Sequence, residues 1–220
     1  MKRINKGNAS FHYAVQETAK LIQAKPDTMC VIGCIDSLLD NVTLSWFENT
    51  SSLKSSSYGR HSGLIPSEAI GFVIVEDLES AKAANKTILA RITSLGLSEE
   101  PHSRASDQSG ISKGLTEACS TALQPLKEQA IRAAFSDLNG EEDRAREWGI
   151  VRQRIFDKDQ KQPPLWTPAD TYGDISAASG GVMASIVAEG FKKNWLPSPV
   201  MLFCSDDFGS CGAAVLEKEI

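Results

Sequence analysis

Residues 136 to 149 read SDLNGEEDRAREWG, a polar run directly after the apolar stretch Arg132 to Asp137. The apolar stretch reads as a strand, Asn139-Gly140 as a tight turn, and the charged residues as a helix ending in Trp148 and Gly149. A turn beyond the carboxyl end of a parallel strand is where α/β sheets bind ligands. The groups on offer there are one amide, Asn139, and the carboxylates of Glu141, Glu142 and Asp143. Carboxylates in pairs can act as general acid and base. Acidic side chains in a helix's first turn are also what its dipole favours, and that is the plainer account.

Other candidates carry weaker signals. Ser10 stands one turn into a helix, but none of the three histidines, His12, His61 and His102, is identifiable as its base. Those histidines lie in a helix, a loop and a Ser-rich loop, so neither a metal nor a cofactor is expected. Gly180-Gly181 suits close helix packing better than phosphate binding, and Gly209-Ser210-Cys211-Gly212 lacks the spacing of a hydrolase elbow. Of the five cysteines, Cys30 and Cys34 lack metal-site spacing, and Cys204 and Cys211 flank a turn where they could face each other. An odd number spread through apolar segments reads as buried thiols in a reducing compartment.

The elements that position these residues alternate. Residues 8 to 24 form an amphipathic helix with Phe11, Val15 and Ile22 on one stripe and Asn8 as N-cap. Strands are read at Thr28 to Gly33, Ile70 to Glu76, Ile88 to Leu95, Pro164 to Thr167, Pro199 to Ser205 and Cys211 to Glu217. Further helices span Ser112 to Gln129, kinked or divided at Pro125, and Ser176 to Lys193. The Ser/Gly-rich stretch from Asn49 to Gly63 is a solvated loop, or more sharply a substrate-gating one. The pattern is α/β, a mixed sheet with helices on both faces.

Bulk properties narrow the partners. The chain has 220 residues, 41% of them hydrophobic, enough for a real core. A net charge of −5 and no Lys/Arg cluster beyond pairs such as Lys192-Lys193 argue against nucleic acid. No apolar run approaches a membrane span, so no membrane is expected and the default compartment is cytoplasmic.

Taken in order, VIGCIDSLLD, HSGLIPSEAIGFVIVE, SDLNGEEDRAREWG, DISAASGGVMASIVA and CSDDFGSCGAAVL resemble the β-ketoacyl synthase branch of the thiolase-like fold. The resemblance implies thiolase-like mixed sheets layered with helices, with the C-terminal half nearly complete and the N-terminal half truncated. It divides the chain into residues 1–80, a remnant of the first half, and residues 81–220, the second half. The family's cysteine nucleophile falls on Asn8, its two histidines on Asn139 and Asp174, and its supporting lysine near Ala169. Phe208 matches the phenylalanine that gates the acyl pocket, with Gly209 beside it and Met183 and Phe72 as further expected neighbours.

A cysteine at a helix N-terminus gains nucleophilicity from the macrodipole, and two imidazoles stabilise the condensing enolate. With those groups replaced, the resemblance implies an interaction or accessory subunit without condensing activity. As family-level background it points to handling of bacterial secretion effectors. The alternative is an acyltransferase or 3-oxoacyl-ACP synthase-type activity on acyl-ACP or acyl-CoA, with the missing half supplied by another chain. Expected partners are a second copy or a protein chain covering an open sheet edge, and acyl carrier protein.

Overall fold

The computed structural model describes residues 1–55, 59–104, 106, 112–126, 130–156 and 162–219. The last turn of the helix expected at 112–129 and the centre of the Ser-rich loop lie outside them. Helix α1 spans Ser10–Ala24, β1 Cys30–Ser37, α2 Asn41–Asn49, β2 Glu68–Val75 and α3 Leu78–Ala83. Then follow β3 Arg91–Glu99, α4 Lys113–Leu123, β4 Ala133–Ser136, α5 Glu142–Ile155, β5 Leu165–Trp166 and α6 Ala169–Tyr172. Helix α7 spans Ser179–Lys192, β6 Val200–Ser205 and β7 Ser210–Glu217.

Strands β3-β7-β6-β4-β5 make a five-stranded sheet in that spatial order. Strand β4 runs parallel to β5 and β6, whereas β7 is antiparallel to both neighbours. This is the mixed sheet that the strand and helix pattern implies. Helices α1 and α7 cover one face, where Phe11, Val15, Met183 and Val187 pack with Phe135, Leu202 and Ala214. The other face carries α4 and α5, with Trp148 stacked on Phe203 at 4.4 Å between ring centroids. Every residue of β6 is buried, because both faces of its sheet are covered.

Among the described residues, strands β1 and β2 pair only with each other, antiparallel, on the far side of α1 and α7. Ile32, Cys34, Val73 and Val75 face the helices. Val31, Ile35, Ile70, Phe72 and Ile74 face outward and are exposed. Apolar side chains therefore occupy both faces of this ribbon, although only one is packed among the described residues. Phe11 and Val15 of α1 are buried in the core, so the contiguous exposed apolar face lies on the strands, with Leu21 the exposed large apolar side chain of α1.

Several boundaries differ from expectation. β1 extends to Ser37 in a continuous antiparallel register with β2, and β3 starts and ends later, paired antiparallel with β7 through a register shift between Ile92 and Ser94. Helix α5 runs past Gly149 to Ile155 because Val151 completes the buried stripe with Trp148. At Pro125 the chain tightens into a 3-10 turn, Gln124–Leu126, as the proline dictates. All the cysteines are free thiols; Cys30 is half-buried and the others are buried. Among the described residues no helix is long and apolar enough to cross a membrane.

Candidate functional site

The chain enters α1 through a 3-10 turn, Gly7–Ala9. Gly7 has φ +47°, and a Cβ there would lie 1.7 Å from Asp206 Oδ1, so this backbone and the Asp206 carboxylate are in direct contact. Asn8 lies inside the turn and is only 5% exposed. It is not the N-cap that its position implied: α1 begins after Ala9 without a side-chain cap. Ser10 Oγ instead accepts a hydrogen bond from the Lys6 backbone N–H at 2.9 Å. Ser10 is thus an early-helix serine with a local structural role.

Beyond β4, the Asn139-Gly140 turn forms as expected. Asn139 Oδ1 accepts from the Glu141 N–H at 3.1 Å, and Gly140 takes φ +100°. The Asn139 amide donates to Glu141 Oε2 at 2.9 Å and to Asp174 Oδ2 at 2.6 Å. Asp174 is also buried, its Oδ1 accepting from the Ser176 N–H at 2.8 Å. The two positions that resemble histidine sites are therefore bonded to each other.

Behind them sits Arg144, on the first turns of α5 and 4% exposed. Its guanidinium meets Asp137 at 3.1 Å, Glu141 at 3.2 Å and Asp207 at 3.0 Å, and donates to the Ser205 carbonyl at 2.8 Å. Arg104 reaches Asp207, Glu147 and the same carbonyl from the opposite side. Burial pushes Asp137 up to about 6 against the pull of Arg144 and Arg104. Burial also acts to raise Asp207, but the same two guanidiniums outweigh it and hold its carboxyl low. Glu141, Glu142 and Asp143 are at the N-terminus of α5, where the dipole favours them.

These elements enclose a cavity of about 680 Å³ lined by Asn8, Asp174 and Phe208 together with Trp46, Phe47 and Leu64. Its size is that of a small-molecule site. Phe208 stands at its mouth, 81% exposed. Met183 and Phe72 do not line it: Met183 is packed in the core below, and Phe72 is 60% exposed on the outer ribbon face. Gly209 does not line it either; it shapes the turn, donating to the Asp206 carbonyl and accepting from the Glu100 N–H. Ala169 opens α6, away from the lining.

No cysteine or histidine is among the described residues that line the cavity. Sequence reasoning did not identify Asp36, Arg144 or Asp206 as part of it. Their proximity arises only when β1, α5 and the β6–β7 turn converge, and no local pattern announces that. Among the described residues no cluster of three His, Cys, Asp or Glu is arranged to hold a metal ion.

No family model matches the chain. A 3-oxoacyl-[acyl-carrier-protein] synthase homolog of Saccharomyces cerevisiae is 24% identical over 206 residues, which is 88% of this chain and 46% of that protein. The ketosynthase of a type II polyketide synthase complex with its acyl-carrier protein (AntDE:AntF) superposes at TM-score 0.85 and 13% identity, over 100% of this chain and 63% of its own. A β-ketoacyl synthase from Burkholderia phymatum STM815 gives TM-score 0.78 and 18% identity, over 98% of this chain and 61% of its own. The module 6 ketosynthase of the bacillaene synthase of Bacillus subtilis 168 gives 0.82 and 14%, over 99% and 47%. The chain therefore spans about half to under two thirds of the length of these relatives. Its fold is the thiolase-like fold of the β-ketoacyl synthases.

Proposed function

We propose that this chain is a thiolase-like protein without condensing activity that works through association with other chains. The observation that carries the reading is the 2.6 Å hydrogen bond from the Asn139 amide to Asp174. A primary amide is neither a general acid nor a general base near neutral pH, and a buried carboxylate facing a developing enolate opposes it. Asn8 supplies no nucleophile where a thiolate would be needed. The position is polar and partly enclosed, so what is lost is the reacting groups and not the chamber.

The association half of the reading rests on the outward apolar face of β1 and β2. A second copy of this chain or another protein covering that face would shield Val31, Ile70, Phe72 and Ile74 from water. Within this reading, residues 1–80 are a remnant of the first fold half and residues 81–220 the second half, and effector handling and acyl-carrier binding are narrower versions of the same role. The test is incubation with acyl-CoA followed by intact mass, then a malonyl-dependent condensation assay with and without a candidate second chain. No adduct and no condensed product are expected from the protein alone. A stoichiometric acyl adduct mapped between Gly7 and Ser10 overturns the reading, and condensed product formed only with the second chain present favours the 3-oxoacyl-ACP synthase-type form of the alternative.

A further inference from the structure

The cavity has an unbalanced charge. Lys6 is taken up by Glu99 at 2.9 Å, and Arg144 by Asp137, Glu141 and Asp207. Asp36, Asp174 and Asp206 also line it, and none of them is in a contact ion pair among the described residues, although the Arg144 guanidinium acts on Asp174 and Asp206 through space. They accept only N–H hydrogen bonds, Asp36 from Ser37 and Ala177, Asp174 from Asn139 and Ser176, and Asp206 from Phe208. An anionic acyl group would meet repulsion on this wall.

A second, independent feature lies beside it. Asn8 is 5% exposed and lines the same cavity, yet its amide nitrogen has no hydrogen-bond partner among the described residues. Buried amides are normally paired, so this unpartnered donor on the cavity lining calls for an acceptor that the described residues do not supply. The lining also carries apolar and aromatic side chains, Trp46, Phe47, Leu64 and the exposed Phe208, the last beside Asp206. Aromatic faces attract organic cations as well as apolar bodies. A bare metal ion is a poor fit, since no group of three ligating side chains is assembled among the described residues.

We propose that the cavity binds an aminoacyl-type ligand, a protonated amine next to a carbonyl on an apolar side chain. The ammonium sits against Asp206 and Asp36, the carbonyl accepts from Asn8, and the side chain lies against Trp46 and Phe208. The inference deepens the non-condensing reading by naming what the retained chamber takes, and binding needs no bond to form or break. A free amino-acid derivative and the N-terminus of a peptide share this chemistry.

Isothermal titration separates the possibilities. Probes are L-phenylalaninamide, its N-acetyl derivative, phenethylamine and the peptide Phe-Gly-Gly. Saturable binding of L-phenylalaninamide is expected, weakened by at least about tenfold on N-acetylation. Asp206→Asn, which keeps an oxygen for the Phe208 N–H, should weaken it similarly while thermal unfolding stays cooperative. Asn8→Ala should remove the advantage of L-phenylalaninamide over phenethylamine. Tighter binding of Phe-Gly-Gly assigns the ligand to a chain terminus; equal or weaker binding assigns it to a small molecule. Equal affinity for the N-acetyl compound, or no saturable heat from L-phenylalaninamide, overturns the proposal. An acyl adduct by mass would instead overturn the non-condensing reading, so the two failures are distinguishable.

Discussion

His12 is fully buried between α1 and the sheet, with neither ring nitrogen in a good hydrogen bond. Burial lowers its pKa from 6.5 to about 4, opposed only weakly by the backbone of Leu202 and Ala9. The unfolded chain then binds a proton that the folded chain refuses, so stability is complete above pH 6.5 and falls as the pH drops toward 4. The loss across that window is about 3 kcal/mol from this group alone. Urea unfolding at several pH values should show a slope in this range that flattens in His12→Phe; an unchanged slope in that variant rules His12 out as its source. Asn139 makes a different claim at the same scale. In Asn139→Ala, buried Asp174 loses its side-chain donor, and the unfolding free energy should fall by about 1–3 kcal/mol. A variant as stable as the parent would mean that the amide is no lock.

Helix α5 shows what single elements expose and conceal. Gly149 lies inside it with open space where a Cβ would go and no left-handed backbone to protect. Gly149→Ala should therefore raise stability by about 0.5–1 kcal/mol, read as a higher urea midpoint with unchanged slope; a lower midpoint would show a hidden contact. The same glycine explains the misplaced helix end, since a breaker residue outweighed the Val151 and Ile155 continuation of the stripe. Elements with sustained apolar patterns, α1, β2, α7 and β6, were legible because burial demands apolar side chains either along one face or, as in β6, at every position. The short helices α2 and α3 were not, although their N-caps Asp40 and Asp77 accept from their own first-turn N–H groups and were a usable signal. For the site, ordered motif resemblance named Asn8, Asp174 and Phe208, which line the cavity, and Asn139, which is hydrogen-bonded to Asp174 beside it. Resemblance could not locate Arg144 or Asp206, whose roles depend on distances between remote segments.

At the scale of the whole molecule, the two sheets are treated unequally. The five-stranded sheet is covered on both faces, whereas the β1–β2 ribbon is covered on one. Its outward side chains are not the polar half of an alternating pattern: Val31 stands opposite Ile74, Ile35 opposite Ile70, and Phe72 lies over Gly33. Each such side chain gains about 1.5–3 kcal/mol when fully buried, so covering several is comparable to the stability of a domain. Both ribbon edges also lack a strand neighbour among the described residues, which leaves backbone donors and acceptors available for pairing. Association through this face is the expected result, and light scattering at micromolar concentration should give a mass above that of one chain. Ile74→Lys should shift it to the monomer while retaining cooperative unfolding, because the side chain points away from the core. Val15→Asp should unfold the protein instead, since Val15 is inside it, and Lys20→Glu, exposed on α1, should leave the mass unchanged. A cooperative monomer from the parent sequence, indifferent to Ile74→Lys, would show that the ribbon is not used for self-association.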